Sequence, residues 1–145
     1  MKNETLQELP AVLPYLHYEY VAGALDFLAK TFGFTVHLSM PGSDGAIVHA
    51  EIVLGRAVVM LGPESVETGA QSPKRLGGVT QSLYVYVDDV DAHFRHTAAS
   101  GATITKEPVD MFWGDRVYSA RDAEGHHWTF AAPSPEDAKL RSHLE

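Results

Sequence analysis

LPYLHYEYVAGALDFLAKTFGF, residues 13–34, decides the fold. Its first part, together with Ala11 and Val12, predicts a strand ending at Tyr18. Tyr20 to Phe32 predicts a helix, because Val21, Leu25, Leu28 and Phe32 recur at helical spacing and form one apolar stripe. Gly33 stands where a left-handed C-terminal cap is expected. The order returns in SLYVYVDDVDAHFRHTAASG, residues 82–101. Ser82 to Val87 predicts a strand, Asp88 or Asp89 a helix cap, Val90, Phe94 and Ala98 an apolar helix face, and Gly101 the stop. His17 to Gly33 is 16 positions and Tyr86 to Gly101 is 15. The chain therefore repeats in pattern, though not in identity.

Each copy continues into strands. In the first, Phe34 to Met40 alternates, Pro41 to Gly45 turns, and Ala46–Leu54 and Ala57–Leu61 form a hairpin about Gly55-Arg56. In the second, Ala102–Pro108 and Val117–Arg121 predict strands. Ala123-Glu124-Gly125 then turns into a last strand, His127–Ala131. Module one thus spans about residues 11–62 and module two about 79–132, joined by a Gly-, Pro- and Ser-rich linker at 63–78 and followed by a polar tail at 133–145. The expectation is a single α+β domain: two βαβββ modules side by side, forming a curved mixed sheet with helices on the outer face. One helix cannot cover a sheet alone, so the modules must share a core. Ferredoxin-like and cone-shaped α+β folds are the competing patterns, and the hairpin after each helix argues against the first.

Composition narrows the function. The chain has 145 residues, no cysteine, and a formal charge of -8 from 11 basic and 19 acidic residues. Disulfides, thiolate metal sites and a cysteine nucleophile are excluded. The charge and the scattered basic residues disfavour nucleic acid and anionic membranes. The first ten residues lack an apolar signal region and no apolar run approaches membrane-spanning length, so a soluble cytoplasmic protein is expected. There is no P-loop, nucleophile elbow, dinucleotide fingerprint or HExxH.

Four segments together carry a family likeness. LPYLHYEYVAGALDFLAKTFGF resembles the opening strand and helix of the vicinal-oxygen-chelate superfamily (glyoxalases, bleomycin resistance proteins and dioxygenases), especially its PhnB-like branch. HAEIVLGRAVVML (49–61), YVYVDDVDAHF (84–94) and FWGDRVYSARDAEGHHWTFA (112–131) resemble later segments in the right order. The resemblance implies a concave ligand face, and in the enzymes a divalent metal held by one residue from each of four strands. Ungapped matching puts Leu13, Glu51, Ser82 and Thr129 at those positions, and only Glu51 is a competent ligand. It also implies a homodimer, since relatives complete their clefts by pairing modules.

Strand alternation assigns the concave face. It places Tyr15, His17, His49, Glu51, Tyr84, Tyr86 and His127 inward, with Trp113 and Arg116 at the rim, as candidate ligand-binding residues. Tyrosines and histidines about one carboxylate suit a partly apolar, hydrogen-bonding small molecule. The plain alternatives are strand tyrosines, satisfied core histidines and a Glu51 salt bridge with His17, His49 or Arg116. His126 is expected to be structural, and His93 and His96 to be solvated on the outer helix. The expected function is a small-molecule-binding protein without the metal tetrad, sequestering a drug or another aromatic or cationic ligand. The alternative is a lyase- or dioxygenase-type enzyme using Glu51 with His17 or His49 as an acid–base pair, or as a displaced divalent-metal site. A third reading is an accessory module with no ligand of its own.

Overall fold

The structure, a computed structural model, describes residues 9–134. Its elements follow in the order β1 (Tyr15–Tyr18), α1 (Val21–Phe32), β2 (Thr35–Pro41), β3 (Ile47–Leu54), β4 (Ala57–Pro63), a single turn α2 (Pro73–Leu76), β5 (Ser82–Tyr86), α3 (Val90–Ala99), β6 (Thr103–Asp110), β7 (Asp115–Arg121) and β8 (His127–Pro133). The polar tail, from Pro135 on, lies outside the described residues. The expected continuous curved sheet is two hydrogen-bonded sheets, β1-β4-β3-β2 and β5-β8-β7-β6. In each, the first strand runs parallel to the last and the rest are antiparallel. The linker is not featureless: β4 runs on to Pro63, and α2 is capped by the fully buried Ser72 and held by Arg75 on Glu64 and Glu19.

The helix stripe is buried as expected at Val21, Leu25, Leu28 and Phe32. Gly33 takes φ 83°, the left-handed region that closes α1. Asp89, not Asp88, caps α3 by accepting from the Ala92 amide. The face of α3 differs from expectation. Its buried residues are Val90 and Thr97, whereas Ala98 is exposed. The stripe is therefore 90, 93, 94 and 97, and it carries His93 inward.

One core serves both modules, and its module-two side is aromatic. Trp128 and Phe130 stack along β8 with planes 6° apart, and Tyr118 stacks on Phe130. Phe32 of α1 reaches across to both Trp128 and Phe130, and Phe34 to Trp128. The open carbonyls at the end of α1 are met by α3. His93 Nε2 donates to Phe32 O at 2.7 Å, Thr97 Oγ1 to Thr31 O at 3.2 Å, and His96 Nε2 to Lys30 O at 2.8 Å. His93 is thus a seam residue and not a solvated one. This corrects the reading from its helix position.

A second seam lies at the β7–β8 turn. Asp122, 7% exposed, accepts the Tyr18 hydroxyl at 2.5 Å and the Trp128 indole N–H at 3.0 Å on Oδ2. Its Oδ1 accepts the amides of Glu124 and His126. Glu124 caps the amides of Glu19 and Tyr20, and His126 Nε2 donates to His17 O. His126 is structural, as expected. Burial, helped by the Asp122 charge and hydrogen bond, pushes the Tyr18 phenol well above its ordinary pKa.

Two outcomes follow. Asp122→Ala strands two side-chain donors in the core, and a loss of about 3–5 kcal/mol is expected. Differential scanning calorimetry should show it as a fall of roughly 10 °C or more in the unfolding midpoint. Burial also holds the His93 imidazole below its ordinary pKa, against the hydrogen bond to Phe32 O. A depressed folded value favours the neutral ring. The stability His93 contributes is therefore complete above about pH 6.5 and lost as pH falls through the folded value. The stability gap between wild type and His93→Gln should narrow between pH 7.5 and 5, read by denaturant titration.

Candidate functional site

Pairing register sets out the face of sheet one that turns away from the core. Tyr15 lies beside Met60, Met60 beside Glu51, and Glu51 beside Leu38, one row across four strands. A register shift in β2 after Val36 brings Leu38 and Met40 onto this face, Met40 beside His49. The corresponding row of sheet two is Tyr84, Thr129, Ser119 and Lys106. Glu51 therefore has Ser119 as its counterpart, and the module-one counterpart of Thr129 is Met60. Sheet pairing thus makes Met60, not Glu51, the counterpart of Thr129, and Leu13, Met60, Ser82 and Thr129 offer no carboxylate and no imidazole. Among the described residues no group of three or more His, Asp or Glu side chains is placed to hold a metal ion. The donor set does not fit the divalent metal of the family's enzymes.

The sheet-one cluster is a chain of hydrogen bonds. The His49 ring bridges Glu51 Oε2, 3.0 Å from Nε2, and the Tyr15 hydroxyl, 2.9 Å from Nδ1. The side chains of His49 and Glu51 are 25% and 18% exposed, so the pair is sheltered but reachable. His17 Nδ1 donates to Pro63 O, and its ring lies 5.2 Å from that of Tyr15. Burial, then the Glu51 charge, raises the Tyr15 pKa. The Tyr15 ring lies over Gly62, where a Cβ would come within 2.5 Å of the phenol oxygen. Glycine there is what lets the ring lie flat on β4.

The sheet-two cluster centres on Asp115, which is 1% exposed. Tyr84 and Tyr86 both donate to its Oδ2, at 2.5 and 2.8 Å, and the Trp113 indole donates to the Tyr84 oxygen at 3.1 Å. Burial, then the Asp115 hydrogen bond, pushes the Tyr84 phenol up to about 12. The three aromatic rings remain about two-fifths exposed over the buried carboxylate. Tyr15, His17 and Leu13 from module one and Ser82 and Tyr84 from module two line one open groove of about 700 Å³.

The candidates thus sort as follows. Tyr15, His49 and Glu51 form one cluster, with His17 beside it, and Tyr84, Tyr86 and Trp113 form a second. His127 starts β8 beside Ser82, two residues from the Thr129 row. Arg116 is not at the rim: it lies on the opposite face of β7, paired with Asp91 of α3 and with Asp110. Alternation explains this, because Asp115 faces the tyrosines and its neighbour must face the helix. Glu51 is paired with His49, not with Arg116. Asp115 was absent from the sequence reading because β7 was expected to begin at Val117. Extending the alternation Ser119, Val117 by one more step would have found it.

A model of the glyoxalase/bleomycin resistance protein/dioxygenase superfamily matches residues 18–130. The chain belongs to this superfamily. An uncharacterized protein of Mycobacterium tuberculosis is 35% identical over 130 residues, covering 88% of this chain and 76% of that one. The crystal structure of TioX from Micromonospora sp. ML1 is 33% identical, with a TM-score of 0.68 over 86% of this chain and 97% of that one. TnmS3, an antibiotic binding protein from Streptomyces sp. CB03234, shares the fold at 22% identity and a TM-score of 0.65, over 86% and 99% of the two chains. No described helix of this superfamily member is long and apolar enough to cross a membrane.

Gly62→Ala tests the sheet-one geometry. It should lift the Tyr15 ring and break its bond to His49, moving the His49 Nδ1 resonance in ¹⁵N NMR toward that seen in Tyr15→Phe. The unfolding midpoint should change by less than a loss of about 1–2 kcal/mol implies, since the Tyr15 ring lies at the surface, 42% exposed.

Proposed function

We propose that this protein binds and sequesters a small aromatic or cationic molecule, an antibiotic or similar drug, as a cytoplasmic homodimer and without a catalytic metal. The observation that carries this is the pair of tyrosine–carboxylate clusters, each of which sends a tyrosine, Tyr15 or Tyr84, into one open groove, with no carboxylate or imidazole at Leu13, Met60, Ser82 and Thr129. Half-exposed rings over fixed hydrogen-bond acceptors suit an apolar ligand with polar points. The 33% identity to TioX over nearly its whole length, and the fold shared with an antibiotic binding protein, support the same reading. Within the superfamily we place the chain in the PhnB-like branch, on its Trp113-Gly114-Asp115-Arg116 turn and the hairpin that follows.

The dimer is supported by apolar surface that a lone chain leaves open. Val36, Leu38 and Met40 are exposed on the edge strand β2, and Val109, Phe112 and Trp113 on module two. Exposed edges and patches of this kind favour association, and two-fold dimers are its commonest form.

The second reading is a lyase- or dioxygenase-type enzyme. The Tyr15–His49–Glu51 chain favours it, since a carboxylate-oriented imidazole can move a proton. Thermal-shift screening of a panel of aromatic antibiotics separates the two. Sequestration predicts that a stabilising compound is recovered unchanged after prolonged incubation, and turnover of that compound favours the enzyme. Glu51→Gln should weaken such a compound about tenfold, the worth of one charged hydrogen bond, with the fold intact. Light scattering should give about 32 kDa, twice the 15.8 kDa chain, and elemental analysis no stoichiometric zinc, nickel or iron. A monomer, or one metal per chain lost in Glu51→Gln, would contradict these parts.

A further inference from the structure

Resting on the small-molecule-binding reading, we infer that the sheet-one face is an acceptor-only subsite for a planar nitrogen cation, of the amidinium or guanidinium class, carried on an apolar body. The inference comes from counting protons. A carboxylate oxygen only accepts, so the proton between Glu51 and His49 sits on Nε2. In the neutral ring Nδ1 then carries a lone pair, and the Tyr15 hydroxyl must spend its only hydrogen on it. The Pro63 carbonyl also only accepts, so the His17 proton sits on Nδ1 and its Nε2 is left with a lone pair. Every donor of the cluster is used within the protein.

Acceptors are what remain: the outer lone pairs of the Tyr15 oxygen, His17 Nε2, and Glu51 Oε1. Neither Glu51 nor His17 has an enclosed polar atom lacking a partner, so these acceptors reach the surface, those of Tyr15 and His17 along the groove and that of Glu51 beside it. A ligand hydroxyl would satisfy one of them. A planar cation with several N–H groups satisfies two or three and also meets the carboxylate charge, the arrangement that gives charge-assisted, bidentate bonds.

The surroundings favour the same class. The Tyr15, His17 and His49 rings lie within 5.6 Å of one another through Tyr15, and aromatic faces attract cations. Met60 lies between Tyr15 and Glu51, with Leu38 and Met40 on the far side, so the ligand body meets apolar and thioether surface. Two guanidinium groups are spent elsewhere: Arg75 on Glu64 and Glu19, Arg116 on Asp91 and Asp110. Arg56, which also lines the groove, stands in the β3–β4 turn, past the end of the strand that carries Glu51. The net charge of -8 draws cations at long range. At the cluster itself an anionic ligand would meet three lone-pair acceptors, whose own hydrogens are already spent within the protein.

The test uses three near-isosteric probes at pH 8, where imidazole is ordinarily neutral: benzamidinium, benzamide and benzoate, titrated calorimetrically into the full chain. Benzamidinium should bind at least tenfold more tightly than benzamide, and benzoate not measurably. Glu51→Gln, checked for folding by circular dichroism, should bring benzamidinium down to the level of benzamide. Nile red, a neutral apolar dye, serves as the control for the groove and should bind the wild-type chain. Benzamide or benzoate matching benzamidinium, or Glu51→Gln preserving the order, overturns the inference. If Nile red binds but benzamidinium shows no preference, the acceptor-only subsite falls and the small-molecule-binding reading stands. If neither binds, both fall.

Discussion

The carboxylate of Asp122 is the constraint on which the rest of the molecule depends. Two βαβββ modules, each with one helix, have more apolar sheet than either helix can cover, so they must meet with their helix sides on a common core. Asp122 fixes how they meet. One oxygen draws the Tyr18 hydroxyl from the end of β1 and the Trp128 indole from the start of β8. The other closes its own turn. A charge so nearly buried is costly unless fully bonded, and here its hydrogen bonds cross the module boundary. The same turn holds the start of α1 through Glu124 and the end of β1 through His126. The position of Tyr15 and His17 on the groove therefore follows from chemistry on the opposite side of the sheet.

Much of this was legible. Apolar periodicity located both helices and the glycines that end them, and alternation located Tyr15, His49, Glu51, Tyr84 and Tyr86 on one face. Alternation is local, so it survives without knowledge of the tertiary contacts. What it cannot report is which strands lie side by side. Ungapped matching to the family sets Glu51 at a metal position, yet pairing shows Met60 beside Tyr15 where Thr129 lies beside Tyr84. Arg116 and Asp115 were exchanged in role for the same reason: a strand start misplaced by two residues hides the first alternating position. His93 is expected to be solvated because its helix is expected on the outer face, whereas α3 packs against the end of α1. A histidine can serve as the seam when both ring nitrogens have partners, as they do with Phe32 O and the Tyr118 hydroxyl.

The groove departs from its superfamily's metal chemistry in a consistent way. Where a metal would be gathered, the symmetric positions carry leucine, methionine, serine and threonine. The polar groups stand one strand outward, Glu51 and His49 on β3 and Asp115 at the start of β7. In both places a carboxylate fixes tyrosine hydroxyls, directly in module two and through His49 in module one. Fixed hydroxyls lose little entropy on binding and present their oxygens in one direction, which favours recognition by preorganisation. The aromatic rings that carry them supply contact area. This division of labour suits a receptor for a rigid, partly apolar molecule, and it leaves the core free of the site's polar groups.

The most direct test of the central claim is a ¹H–¹⁵N correlation spectrum of the full chain titrated, in metal-free buffer, with any aromatic antibiotic that stabilises it. The account predicts that the largest shifts fall on the amides of β1, β3 and β5 and on the Trp113 indole N–H, with the amides of α1 and α3 nearly still. Shifts concentrated on α1, α3 or the turn at Asp122, or binding that appears only when a divalent metal is added, would contradict it.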